Sequence, residues 1–115
     1  MAIRELVPVS DIERQIFLIR GHKVMIDRDL AGLYHVPTKV LNQTIKRNQD
    51  RFPDGFMFRL SPQETRELVT NCDRFAKLKH SSSTPFAFTE YGVAMLSSVL
   101  RSKRAIRINI QIIQT

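Results

Sequence analysis

Between Leu41 and Phe52 the chain reads LNQTIKRNQDRF, a dense run of groups able to recognise another molecule. It holds three cations (Lys46, Arg47 and Arg51), five neutral amide or hydroxyl side chains, and one acid, Asp50. Placed on a helix from Thr38 to Asn48, Val40, Leu41, Thr44 and Ile45 cover one side. Lys39, Asn42, Gln43, Lys46 and Arg47 cover the other. That second side is all donors, with no carboxylate. The chemistry it suits is nucleic-acid reading. Asn and Gln pair bidentately with adenine, and Lys and Arg with guanine, in a major groove wide enough for a helix. Lys23, Arg51, Lys77 and Lys79 lie outside this helix and are candidates for holding phosphates, which position a protein without reading sequence. A solvated helix face with no partner is the plainer alternative, and for any one helix the commoner case.

Catalytic chemistry fits less well. The four glycines share no phosphate-loop spacing. Asp27 and Asp29 are two apart, so they do not share a helix face for a metal, and Glu64 and Glu67 are explained by capping and solvation. A nucleophilic Cys72 needs a nearby histidine and an activating environment, and its one sequence neighbour is His80, eight residues on. The three histidines and single cysteine give no zinc spacing. No enzyme activity, cofactor or metal is expected. Phe52, Phe56, Phe58, Phe86 and Phe88 are candidates for stacking on single strands, but they fit core positions better.

The reading helix needs elements to position it. DRDLAGLYHV predicts a short helix before it, with Asp27 as cap, Leu30, Leu33 and Tyr34 on one face, and Gly32 marking a close helix contact. Pro37 then opens the second helix. A short helix, a turn near His35 to Pro37 and a donor-bearing helix make a helix-turn-helix pattern. Upstream, RQIFLIRGHKVMI predicts a hairpin around RGHK, and residues 1–13 predict a loosely held arm. Downstream, FMFRL predicts a strand. SPQETRELVTNC predicts a helix with a capping box of Ser61 and Glu64. RFAKLKHSSSTPFAF predicts a mobile or wing-like loop ending in a strand with Phe86 and Phe88 inward, and TEYGVAMLSSVLRS a helix capped by Thr89. KRAIRINIQIIQT alternates like a strand, but a helix places Lys103, Arg104, Arg107, Gln111 and Gln114 together, with Asn109 the one misfit. The fold class expected is α+β: one small domain with the helix-turn-helix-like pair, short strands and C-terminal helices.

Charge agrees with a polyanionic partner. The 115 residues carry a net charge of +7 and a pI of about 10.2, a large excess for one domain. The unpaired Cys72 implies no oxidising compartment, and no apolar run approaches a membrane span, so a cytoplasmic location without membrane contact is expected. The C-terminal isoleucines admit two roles, core or dimer seam. A homodimer through Ile106, Ile110 and Ile113 would set two reading helices on one duplex.

Two blocks, LYHVPTKVLNQTIKRNQDRFPDGFMFRLSPQE and FAFTEYGVAMLSSVLRSKRAIRINIQII, closely resemble the N-terminal domain family called KilA-N/ORF-six-N of bacterial and bacteriophage proteins. The resemblance runs from about Ile16 to Ile113 and is specific when the blocks are taken together. Members look like DNA-binding domains of phage regulators and antirepressors, related to the viral Bro-N type, and commonly precede a separate C-terminal region. The resemblance implies double-stranded DNA as partner and a helical C-terminal segment. It assigns no particular base contact, and nothing is carried over to Ser81–Ser83.

Overall fold

The computed structural model describes residues 6–81 and 83–115. A four-stranded antiparallel sheet in the order β1-β2-β4-β3 forms its centre, with β1 Phe17–Ile19, β2 His22–Ile26, β3 Met57–Arg59 and β4 Phe86–Thr89. Both faces of the sheet are covered, and the period-two alternation of strand side chains sorts residues between them. Met25 and Phe88 point into one cluster. Val24, Ile26 and Ala87 point into the other.

The first cluster is built by α2 (Asp27–Tyr34), α3 (Thr38–Arg47), α5 (Glu90–Leu100) and α6 (Lys103–Gln114). The second is closed by α4 (Pro62–Asn71) and a 3-10 segment, Asp73–His80. The two central strands feed helices directly: β2 runs into α2 and β4 into α5.

The expected hairpin is present. Arg20 (φ 54°) and Gly21 (φ 76°) form its two-residue turn, and two successive positive φ values match the right-handed strand twist. A left-handed conformation disfavours arginine. Its guanidinium makes a two-pronged pair with Glu64 (2.9 and 2.8 Å) and covers the Phe58 ring at 4.3 Å. Glu64 also closes the expected capping box of α4 with Ser61. One carboxylate therefore ties the hairpin turn to a helix start.

Several expectations change. Residues 6–13 are not loosely held. Ile12 in α1 (Val9–Glu13) is fully buried, and the backbone N–H groups of Leu6 and Val7 donate to Gln111 Oε1. The residues of that expected arm before Leu6 lie outside the described part. The wing-like loop is, over Asp73–His80, a packed 3-10 segment that buries Phe75 and Leu78. Gly32 marks no close contact, since a Cβ there meets nothing within 4 Å. The close approach is at Gly92, where a Cβ would lie 2.0 Å from the Phe56 carbonyl oxygen. That carbonyl accepts the Thr89 N–H (3.1 Å) at the start of α5.

Asn109, the expected misfit of the last helix, is a buried polar hub. It accepts from the Tyr34 hydroxyl and donates to Val93 O (2.9 Å) and Ser97 Oγ (2.7 Å). Burial pushes the Tyr34 phenol well above its ordinary range, against a smaller opposing effect of that hydrogen bond. A buried polar group satisfied on every side fixes the α2, α5 and α6 arrangement where apolar residues allow sliding. Arg104 adds a bond from Nε to Leu33 O (2.8 Å) at the end of α2.

Candidate nucleic-acid interface

The helix pair expected from the sequence is formed. α2 ends at His35 in the left-handed conformation (φ 59°, ψ 43°), with the His35 and Val36 N–H groups donating back to Gly32 O (3.3 Å) and Ala31 O (3.0 Å). Three residues, His35, Val36 and Pro37, turn the chain into α3. Leu41 and Ile45 of α3 are buried in the first cluster. Lys39, Gln43, Lys46 and Arg47 are exposed, and α3 contains no acid. Val40, expected on the apolar side, is 45% exposed and belongs to the open face.

Asn42 departs from its expected role. It is half-buried, and its Nδ2 donates to Asp27 Oδ2 (3.1 Å), so the amide is not free to pair with a base. Asp27 in turn is no helix cap. It is 3% exposed and accepts from the N–H groups of Arg28 (2.7 Å) and Phe86 (3.3 Å) as well as from Asn42. The carboxylate binds the start of α2, the middle of α3 and the start of β4 together. Burial raises its pKa above the usual carboxylate value, while the Asn42, Phe86 and Arg28 bonds pull it down by less. The donor face is therefore acid-free along its own helix but has one carboxylate, sealed from solvent, beneath its edge.

One flank of α3 overlooks a groove of about 580 Å³. Thr38, Lys39, Asn42, Gln43, Lys46 and Gln49 form one wall. Arg59, Ser83, Thr84 and Phe86 stand on the other, with Asp27 and Arg28 also lining it. Arg59 is held in place by its guanidinium over the Phe86 ring (4.2 Å) and by Nη1 donating to Thr84 O (2.9 Å). Arg28 and Arg59 were missed from the sequence. For Arg59 a signal existed: in FMFRL it alternates with Phe58 and shares a strand face with Met57, which packs into the cluster holding α3.

The outlying phosphate candidates do not gather at this site. Lys23 lines a different cleft, of about 430 Å³, between Glu13 and Glu90, and two acids around one cation do not attract a polyanion. Arg51 lies in the 3-10 segment Gln49–Arg51, where its Nη1 donates to Ser98 Oγ (3.3 Å) on α5. Lys77 and Lys79 are exposed on the segment Asp73–His80 and do not line the groove, although the buried Leu78 between them does. Of the nine candidates, four therefore line the α3 groove (Lys39, Asn42, Gln43 and Lys46), Arg47 shares the open face, and four lie elsewhere.

A family model described as the ORF6N domain matches residues 14–99. The chain belongs to the ORF6N domain family. The ORF6N match takes in the sheet, the helix pair and nearly all of α5, while α1 and α6 lie outside it. Yet α6 contributes the buried Ala105, Ile108 and Asn109 to the packing that supports α2. No curated protein and no solved structure matches the chain significantly. Among the described residues of this ORF6N domain, no helix is long and apolar enough to cross a membrane.

Proposed function

We propose that this ORF6N domain binds duplex DNA in the cytoplasm, as the DNA-contacting part of a phage- or prophage-type regulator or antirepressor. In this reading α3 enters the major groove as the second helix of the pair, and the role is binding, not catalysis. The observation that carries it is the exposed, acid-free run of Lys39, Gln43, Lys46 and Arg47 on that helix. The net charge of +7 supplies long-range attraction. Gln43, Lys46 and Arg47 have the chemistry to read base edges, and Lys39 that to meet backbone phosphate. Asn42 acts as a strut and leaves the reading set. The test is Lys46→Ala with Arg47→Ala, titrated by fluorescence polarisation against a mixed-sequence duplex. Weakened binding is expected, and unchanged affinity removes α3 from the interface.

A second reading rests on α6. Ile106 and Ile113 are 43% and 54% exposed, one on each side of the half-buried Ile110, whereas Ile108 is core. This stripe supports a homodimer that sets two copies of α3 on one duplex, and equally a protein-binding module that reads no bases. A salt-sensitive affinity for duplex favours the first.

A further inference from the structure

We propose that Arg28 and Arg59, which line the groove beside α3, form a phosphate clamp that grips the sugar-phosphate backbone bordering the major groove that α3 enters. The inference rests on the duplex-binding reading of α3 and adds a second contact surface to it.

The geometry is set by size. A helix with its side chains is about 10–12 Å across and fills a major groove about 12 Å wide. Groups that stand beside such a helix, separated from it by a cleft, meet the backbone at the groove's edge and not the base edges within. Arg59, carried by β3, lines the same cleft as Lys39 and Lys46 of α3. Four cations, Arg28, Lys39, Lys46 and Arg59, line this cleft against one carboxylate. That carboxylate, Asp27, is buried and taken up by three donors, and Arg28 beside it offsets part of its charge.

Two other clefts among the described residues lack this balance. Around Lys23 there are Glu13 and Glu90, and around Arg20 there are Glu64 and Glu67. Arg59 is also built for the task. A guanidinium has five N–H donors, and the bond to Thr84 O and the stack on Phe86 fix its plane while leaving most of them for a ligand. A fork already held in place loses less freedom when it binds a phosphate. The adjacent Ser83 and Thr84 extend the same wall with hydroxyl-bearing side chains.

The test compares wild type, Arg28→Ala with Arg59→Ala, and Arg59→Lys by fluorescence polarisation on two 20-base-pair duplexes of different sequence, from 50 to 200 mM salt. Two lost phosphate contacts should make the slope of log K against log salt shallower by roughly 1.8, at about 0.9 per contact. The affinity ratio between the two duplexes should not move, because a backbone contact carries no sequence information. Arg59→Lys should keep the wild-type slope. If circular dichroism shows the double variant unfolded, Arg28→Ala alone should still flatten the slope by about 0.9. A wild-type slope in the alanine variants, or a changed ratio between duplexes, overturns the clamp. If Lys46→Ala with Arg47→Ala weakens binding while the clamp variants match wild type, the clamp fails and the reading of α3 stands. If wild type binds neither duplex, or prefers the single strand, both fall.

Discussion

Replacing Asp27 tests whether one buried carboxylate holds the reading helix in place. Its side chain accepts from the Arg28 N–H at 2.7 Å, Asn42 Nδ2 at 3.1 Å and the Phe86 N–H at 3.3 Å. Asp27→Ala removes both oxygens and with them all three accepted bonds. The donors of Asn42 and Phe86 are then left in a half-buried site, at a cost of about 1–3 kcal/mol for each that stays unsatisfied. Relief from burying a charge offsets part of this. The net loss expected is about 2–3 kcal/mol, or roughly 10 °C in the thermal midpoint for a chain of this size. Asp27→Asn should behave differently. The one oxygen left at position 27, placed where Oδ2 lies, keeps the bonds from Asn42 Nδ2 and the Phe86 N–H and gives up only that from the Arg28 N–H. The loss should stay within about 1 kcal/mol. The pH dependence has a definite sign. Asp27's carboxyl is raised above its usual 3.8, so its charged form costs the fold. Wild type should gain stability relative to Asp27→Asn as pH falls through the raised value, and the gain should be complete below about 3.8. Thermal and urea unfolding followed by circular dichroism at pH 7 and pH 4 measures both effects. An alanine variant melting within about 2 °C of wild type, or a wild type and Asp27→Asn with parallel pH profiles, refutes the strut.

Gly32→Ala should stabilise the fold by about 1 kcal/mol, since a helical Cβ there meets open space, whereas Gly92→Ala should destabilise it by more than about 2 kcal/mol by forcing α5 off the Phe56 carbonyl. Both are read from urea unfolding. Glu64 is held at about 2 by the Arg20 guanidinium and then by the Ser61 N–H, so its contribution is full above the ordinary carboxylate value of 4.5 and lost as pH falls through about 2. The stability advantage of wild type over Glu64→Gln should shrink across that window in acid titrations. Ile113→Glu should leave the thermal midpoint nearly unchanged, because the side chain is more than half exposed, and should convert any dimer seen by light scattering at tens of micromolar to monomer.

Elements whose determinants are local were legible. The Arg20–Gly21 turn, the Ser61 capping box, the periodicities of α2, α3 and α5, and the preference for helix over strand in α6 all follow from neighbours within a few positions. What escaped depends on partners distant in sequence. Residues 6–13 are anchored by Gln111, more than a hundred residues away, and nothing near Leu6 announces it. Asn109 looks wrong on a wheel because its justification lies on Tyr34, Val93 and Ser97. Asn42 and Asp27 are fifteen positions apart, and read alone the one is a base-reading amide and the other a helix cap. Lys23 looked like a free cation because Glu13 and Glu90 join the lining of its cleft only in the folded chain. The sequence pointed to the donors of α3 that share one groove, but not to Arg59 in the same lining or to the outlying lysines standing away from it.

Titration of wild type against a labelled 20-base-pair duplex and its separated strand, at 50 and 200 mM salt, tests the central claim most directly. With between three and five of Arg28, Lys39, Lys46, Arg47 and Arg59 on phosphates, log K should fall with log salt at a slope of about −2.7 to −4.5. Duplex affinity should then drop roughly 40- to 500-fold across that range, with the duplex bound more tightly than the strand. Duplex binding that is absent, indifferent to salt, or weaker than binding to the single strand contradicts it.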